Sequence, residues 1–317
     1  MKILISGIHG FVALYLVKEL KGNEIYGLDM IDTPVDGVEQ IFTWKDLNEG
    51  KIPDVDAIIH LAEKGDDRTN IGNKQDYLDS NTRLTERIFD YFRLSSANRF
   101  IFFSSVKAAA DSVNGEVLTE EVEPQPVGPY GESKIRAERY VTALTHDDQP
   151  QKVYILRPCL IHAPGNMGNM GFVYRIISRG FPWLLGAYDS NRSYTSIDNL
   201  CYVVKELLVK DVPSGVYQMA DDTPIRNSKL IQLVGEATGH SPHIFNLPKP
   251  MLQLLACFCG WLHLPFTPKR LRKLTQNYVA SNTKILKALG IQHLPTSAEE
   301  GIRFTLTGTR RDTNLHS

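Results

Sequence analysis

The first twenty residues constrain the fold more than any other stretch. Lys2-Ile3-Leu4-Ile5-Ser6 is a short apolar run closed by glycine, the pattern of a buried strand. It enters Gly7-Ile8-His9-Gly10-Phe11-Val12-Ala13, and residues 14–20 continue as a helix that stops at Gly22. Strand, glycine turn and helix in that order have a specific use. Gly7 permits the tight turn, Gly10 lets backbone approach a pyrophosphate, and Ala13 is small enough for the helix to pack on the strand. The free N–H groups and positive dipole end of the helix then face the phosphates. Gly7, Gly10, Phe11 and Val12 are therefore candidate dinucleotide-binding residues.

A second strand, Glu24-Ile25-Tyr26-Gly27-Leu28-Asp29, ends in an acid 19 residues after Gly10. A carboxylate there accepts hydrogen bonds from an adenosine ribose and repels a 2′-phosphate. Met30 and Ile31 follow, not arginine, so NAD is expected over NADP. Further strands are read at 56–62, 99–105, 153–158 and 215–220, with a helical spacing of apolar residues between 73 and 95. Strands alternating with helices in this way predict an α/β chain with a parallel sheet.

One stretch carries candidate chemistry. Tyr130-Gly131-Glu132-Ser133-Lys134 sets a phenol and an amine four residues apart, on one face if the segment opens a helix. A phenol, with an ordinary pKa of about 10, is a poor base at neutral pH. A lysine ammonium beside it favours the phenolate. Such a tyrosine can take a proton from a hydroxyl and return it. Upstream, Arg99-Phe100-Ile101-Phe102-Phe103 ends in the pair Ser104-Ser105.

Taken together, the glycine turn, the serine pair and the Tyr-x-x-x-Lys spacing resemble the extended short-chain dehydrogenase/reductase family, in particular its nucleotide-sugar epimerases and dehydratases. The resemblance implies a doubly wound parallel sheet of the Rossmann type with a smaller C-terminal substrate domain. It implies Ser105, Tyr130 and Lys134 as the catalytic set, with Ser104 as the alternative hydroxyl. Asp46-Leu47 is similar to the family's pair on the adenine edge, and His60-Leu61-Ala62 to its signature beside the cofactor, with His60 structural. Asn81 stands where the family places an asparagine near the nicotinamide. The implied cofactor set is thus Gly7, Gly10, Phe11, Val12, Asp29, Asp46, Leu47, Leu61, Ala62, Asn81, Ser104, Tyr130, Lys134, Pro158 and Cys159. Arg157-Pro158 with Pro164-Gly165-Asn166, and the segment 191–200 containing Arg192, resemble substrate-region motifs. They imply Ser105, Asn166, Arg192 and Arg272 as substrate-binding residues, with Arg270 competing with Arg272. Leu160 replaces a substrate-binding asparagine of several members. Family dehydratases place Asp-Glu directly after the catalytic hydroxyl, and this chain has Val106-Lys107, so water elimination is disfavoured.

The expected activity is NAD-dependent 4-epimerisation of a nucleoside-diphosphate sugar by transient oxidation at C4. The alternatives are a 4-keto-sugar reductase and a non-catalytic NAD-binding protein. The expected division is 1–160 with 188–224 for the NAD-binding domain, and 161–187 with 225–317 for the substrate domain. By resemblance, a homodimer forms through the 73–95 and Tyr130 helices, whose outer faces carry Ile88, Phe92, Ile135 and Tyr140, and a role in surface polysaccharide synthesis follows.

Composition sets the remaining bounds. Hydrophobic content of 42% and charged content of 22% are those of a core-forming soluble protein. A net charge of −1 argues against nucleic acid or an acidic membrane as the main partner. Cys159, Cys201, Cys257 and Cys259 match no zinc spacing, so no metal is expected and reduced thiols fit a cytoplasmic protein. Cys159 reads as a buried thiol, not a nucleophile. The apolar run 251–264 is too short to span a bilayer and reads as a buried helix. The charges at 63–68 read as solvated, and the polar tail from about 305 as frayed.

Overall fold

The computed structural model describes residues 1–65, 74–113, 117–146, 150–168, 170–262 and 266–308, without the side chains of Lys269 and Lys273. The charged run read at 63–68 is therefore described only as far as Gly65, and the tail only to Gly308.

The N-terminal half alternates strand and helix. In order it contains β1 (Lys2–Ser6), α1 (Phe11–Glu19), β2 (Glu24–Asp29), β3 (Gln40–Thr43), α2 (Trp44–Asn48) and β4 (Ala57–His60). Then come α3 (Lys74–Tyr77), a π-helical turn (Leu78–Arg83), α4 (Leu84–Leu94), β5 (Arg99–Phe103) and α5 (Pro129–Ala143). The second half runs β6 (Lys152–Pro158), β7 (Leu160–His162), α6 (Met170–Ile177), β8 (Asn191–Arg192), β9 (Tyr194–Ser196), α7 (Ile197–Val209) and β10 (Gly215–Met219). It closes with β11 (Ile225–Arg226), α8 (Asn227–Thr238), α9 (Lys249–Trp261), α10 (Pro268–Thr275), α11 (Thr283–Leu289) and α12 (Ala298–Thr307).

Seven strands form one sheet in the order β10-β6-β5-β4-β1-β2-β3. All six pairings are parallel, with Ser6 in register with both Leu28 and His60. The order reverses between β1 and β4. In an open α/β sheet that switch point, at the carboxyl ends of the strands, is where a ligand crevice opens. The strands are buried on both faces, as expected of runs such as Ile3-Leu4-Ile5 and Ala57-Ile58-Ile59.

Three larger apolar clusters fill the molecule. One packs α1, α7 and α11 on one face of the sheet, including Leu16, Leu200, Val204 and Ile285. A second lies on the other face under α4 and α5, including Ile88, Phe89, Phe92, Phe100 and Val141. A third, built from residues such as Val173, Trp183, Leu233, Leu252, Leu271 and Ile302, belongs to the C-terminal segments.

Two sequence expectations are corrected here. Ile88, Phe92 and Ile135 are buried within the single chain, so they are not outer-face dimer contacts. The helical spacing of Ile88 and Phe92 marks the face of α4 that packs on the sheet. The run 251–264 forms a helix over Lys249–Trp261, but only Leu252 and Ala256 of α9 are buried, while Met251, Leu254, Phe258 and Trp261 are exposed. The helix is apolar on both sides, and composition alone does not tell which side meets the core.

Candidate active site

A cleft of about 1010 Å³ opens along the carboxyl ends of β1, β4, β5 and β6. At one end it is lined by Gly7, His9, Gly10, Phe11, Val12 and Asp29. Gly7 has φ +72°, and a Cβ there would stand 2.7 Å from the Ala62 amide nitrogen, so only glycine lets β1 turn this close to the end of β4. Gly10 precedes α1 with no side-chain cap, and the first turn of α1 carries no acid, which leaves its N–H groups to the cleft. Asp29 accepts from the backbone and ring of His9, Nδ1 lying 2.9 Å from Oδ2. His9 Nε2 also reaches the Thr33 carbonyl at 2.9 Å. The Thr33 carbonyl and then Asp29 hold the His9 imidazole above its ordinary range.

The chemistry-bearing residues converge further along the same cleft. Tyr130 and Ser105 both line it. The first turn of α5 passes so close to the loop after β5 that a Cβ on Gly131 would sit 2.6 Å from the Lys107 carbonyl oxygen. That glycine is what lets the first turn of α5, which carries Tyr130, close on the loop that follows Ser105. Lys134 is buried one turn below. Its ammonium donates to the Phe103 carbonyl at 2.8 Å and lies 5.9 Å from the Tyr130 ring centroid. Tyr77 packs edge-on against the Tyr130 ring.

The two serines have different jobs. The Ser104 hydroxyl donates to Glu138, whose buried carboxylate is held by Arg157 through Nε at 2.9 and 3.1 Å and Nη2 at 2.5 Å. Ser105 Oγ accepts a long 3.3 Å bond from Lys107 N–H and lines the cleft, as Tyr130 does. Val106 is buried and Lys107 lines the cleft, so no acid stands where a dehydratase needs one.

Asn81 lies in the π-helical turn, a distortion common at functional sites. It does not line the cleft. Its side chain clamps the backbone of Lys64, accepting from N–H at 2.7 Å and donating to the carbonyl at 3.2 Å, and it donates to Ser133 at 3.0 Å. It thereby fixes the chain that carries Leu61, Ala62 and Glu63, all of which line the cleft. His60 is fully enclosed, bonded to Ser6 at 2.6 Å and Thr85 at 2.9 Å, and burial holds its pKa down to about 3.

At the far end stand Asn166, Arg192 and Arg272 with Lys107, Asp111, Gln276 and Tyr278. Arg272 is largely exposed and lies 4.0 Å from Asp111. Arg270 stacks over the Phe172 ring and does not line the cleft, so of the two arginines Arg272 is the one that reaches it. Pro158 and Cys159 also line the cleft, and burial raises the Cys159 thiol far above its ordinary range, as expected of an inert thiol.

One pair departs from its motif. Asp46 does not line the cleft: it completes a capping box with Thr43 at the start of α2, and the Thr43 hydroxyl is the main reason its pKa falls to about 2. Leu47 is buried in the core. The aromatic that does line the cleft there is Trp44, with the Arg87 guanidinium 5.3 Å from its ring. Two further residues escaped the sequence reading. Glu63 touches both Tyr130 and Lys134, and His9 engages Asp29. The rule that ligands bind where parallel strands end would have flagged Glu63, three residues past β4. No cluster able to hold a metal ion exists among the described residues.

This arrangement agrees with comparisons to known proteins. Residues 3–219 match the NAD dependent epimerase/dehydratase family. The chain is 30% identical over 253 residues to the UDP-glucose 4-epimerase of Vibrio cholerae, covering 73% of this chain and 74% of that one. Among solved structures, the WbmG enzyme of Bordetella bronchiseptica in complex with NAD superposes with a TM-score of 0.75 at 15% identity, covering 96% and 93% of the two chains. The UDP-glucose 4-epimerase of Thermotoga maritima with UDP-glucose superposes with a TM-score of 0.73 at 18% identity, covering 96% and 97%. The chain therefore belongs to the NAD dependent epimerase/dehydratase family, within the extended short-chain dehydrogenases/reductases, and is an NAD-dependent enzyme.

The residues present fit that cofactor. The cradle at Gly7 and Gly10 excludes any Cβ, the uncapped N-terminus of α1 suits a pyrophosphate, and Asp29 suits a ribose diol. Leu61, Ala62, Pro158 and Cys159 provide the walls beyond.

Proposed function

We propose that this enzyme is a 4-epimerase of a nucleoside-diphosphate sugar. The observation that carries the reading is the convergence of Tyr130 and Ser105 on one cleft whose other end is the glycine cradle, with Val106-Lys107 in place of dehydratase acids.

In this reading the sugar C4 hydroxyl lies between Ser105 and Tyr130. Ser105 hydrogen-bonds the reacting oxygen and orients it. The phenolic oxygen of Tyr130 takes the hydroxyl proton. Lys134, an ammonium held under the ring by the Phe103 carbonyl, stabilises negative charge on that oxygen. NAD, when bound, accepts the C4 hydride and returns it. If the ketone turns over before the hydride returns, C4 regains its hydrogen on the opposite face, Tyr130 gives the proton back to the C4 oxygen, and C4 is inverted. Atoms and electrons balance, with no net consumption of cofactor. Arg192 and Arg272 hold the diphosphate, for which planar guanidinium groups are suited. Segments 161–187 and 225–317, which contribute most of the third apolar cluster, form the substrate-binding part.

The test is a panel of UDP-, GDP- and dTDP-sugars incubated without added reduced cofactor, with products read by NMR. Inversion at C4 of one of them, lost in Tyr130→Phe while NAD still binds, is the expected result. Full turnover by Tyr130→Phe would reject the catalytic assignment. Stoichiometric oxidation of NADH on a 4-keto sugar, with no epimer formed, would replace the epimerase by a reductase.

A further inference from the structure

We propose that α9 is an interfacial helix that docks the enzyme on an anionic lipid surface. Its residues divide into two apolar stripes. Leu252 and Ala256 face inward and are fully buried. Met251, Leu254, Leu255, Phe258, Trp261 and the capping Leu262 recur at intervals of three and four, so they lie on the other side, and all are exposed. Leu254 and Trp261 are 72% and 74% exposed, values far from those of half-covered core residues. The Phe258 and Trp261 rings stand together, 6.1 Å apart. A contiguous apolar stripe of this size on a folded protein marks an interaction surface.

The charge around the stripe selects the partner. Between residues 237 and 276 the chain has five Lys or Arg and no Asp or Glu, although the whole protein carries a net charge of −1. Lys249 opens α9, and Lys269, Arg270, Arg272 and Lys273 follow in α10, which packs against α9. An apolar aromatic and aliphatic stripe on a helix that opens on a lysine, packed against a second helix rich in Lys and Arg, with no acid in the whole segment, is the composition expected where a protein lies on the headgroup plane of an anionic bilayer. A second copy of the chain is a poorer match, because a two-fold contact would set this acid-free segment against itself.

Length rules out insertion across the bilayer. Thirteen residues at 1.5 Å each reach about 20 Å, short of the roughly 30 Å hydrocarbon core. No helix among the described residues is long and apolar enough to cross a membrane. Trp is a side chain that favours the interface itself. The overall charge balance led to the expectation of no membrane partner, and the local distribution points the other way.

The experiment uses the full chain with vesicles of phosphatidylcholine alone or with 30% phosphatidylglycerol. Flotation should recover the protein with the anionic vesicles at least tenfold more than with the neutral ones, and 0.5 M salt should weaken that recovery. Trp261 fluorescence should shift to the blue on binding, a shift absent from Trp261→Phe. The variant Leu254→Ser/Phe258→Ser/Trp261→Ser should lose binding at least tenfold while its melting temperature and turnover stay at wild-type values, since none of the three touches the cleft. Lys249→Glu should lower recovery severalfold. Absence of flotation with either vesicle, or undiminished flotation of the triple variant, overturns the proposal. So does a concentration-dependent dimer that the triple substitution dissolves in a protein without vesicle affinity, which would make α9 a self-contact.

Discussion

Glu63 Oε2 stands 2.5 Å from Lys134 Nζ and 3.2 Å from the Tyr130 hydroxyl, so one carboxylate holds the two groups on which the proposed proton transfer depends. The contact joins the loop after β4 to the first turn of α5. Lys134 is otherwise buried and bonded to the Phe103 carbonyl, whereas the Glu63 side chain is about one third exposed. The exposed partner is the one able to move.

A ribose bound beside Lys134 has to compete with this carboxylate. Glu63→Gln keeps the shape and removes the charge. A charged hydrogen bond contributes about 1.5–3 kcal/mol. NAD should therefore bind roughly tenfold tighter or more to Glu63→Gln, by titration of cofactor-free protein. Weaker binding would mean that Glu63 itself holds the ribose hydroxyls.

How much of this could be read from the chain follows from how local each feature is. The turn from Gly7 to Ala13 and the acid at Asp29 lie within one βαβ unit, and their spacing carries the geometry. Tyr130 and Lys134 share one helix turn, so their proximity follows from helix periodicity. Glu63 and Tyr130 are 67 positions apart, and only the parallel sheet order brings them together. Asp46 failed for the opposite reason: its motif matched, but a nearer partner, the Thr43 hydroxyl and N–H, takes the carboxylate. The serine pair cannot be divided by local spacing, because Ser104 is engaged by Glu138 on α5, itself held by Arg157 on β6. In α9 an apolar run was read as buried because composition records no direction.

Arg192 is the better placed of the two arginines for a test of substrate binding, since its guanidinium is partly enclosed and bonded to the Gln276 carbonyl at 3.4 Å. Loss of one charge-assisted contact to a diphosphate corresponds to about 10- to 100-fold in affinity. Arg192→Ala should raise KM for the active nucleotide sugar by that factor, with NAD binding unchanged. Equal losses for NAD and sugar would move Arg192 out of the substrate site.

The pair His9–Asp29 predicts a pH-dependent choice of cofactor. Asp29 repels a 2′-phosphate. His9, 2.9 Å away, keeps its proton to higher pH than an ordinary histidine and offsets that charge when protonated. The preference for NAD over NADP should therefore narrow at pH 6 relative to pH 8.5. The second ionisation of the phosphate, near pH 6, acts in the same direction, so His9→Asn is the control and should flatten part of the trend. Asp29→Ala should raise the NADP to NAD affinity ratio at both pH values. A wild-type ratio that tracks the His9→Asn ratio at every pH would remove His9 from this role.

His60 ties acid stability to the sheet beneath the active site. It lies between Ser6 and Thr85, stacked near Phe100 and Phe102, and burial first, then the Lys134 charge, lower its pKa to about 3. In the unfolded chain the ordinary value is about 6.5. Above pH 6.5 neither state binds the proton. Between 6.5 and 3 the unfolded chain takes it up and the folded chain does not, so stability falls as pH falls and rises again with pH. One pKa unit is 1.36 kcal/mol, so the loss from pH 7.5 to 5 is roughly 2 kcal/mol from this residue. Urea midpoints measured across that range should drop for the wild type. His60→Asn should be less stable at pH 7.5 but show a shallower decline, because its side chain takes up no proton. An equal slope in both proteins would assign the acid sensitivity to other groups.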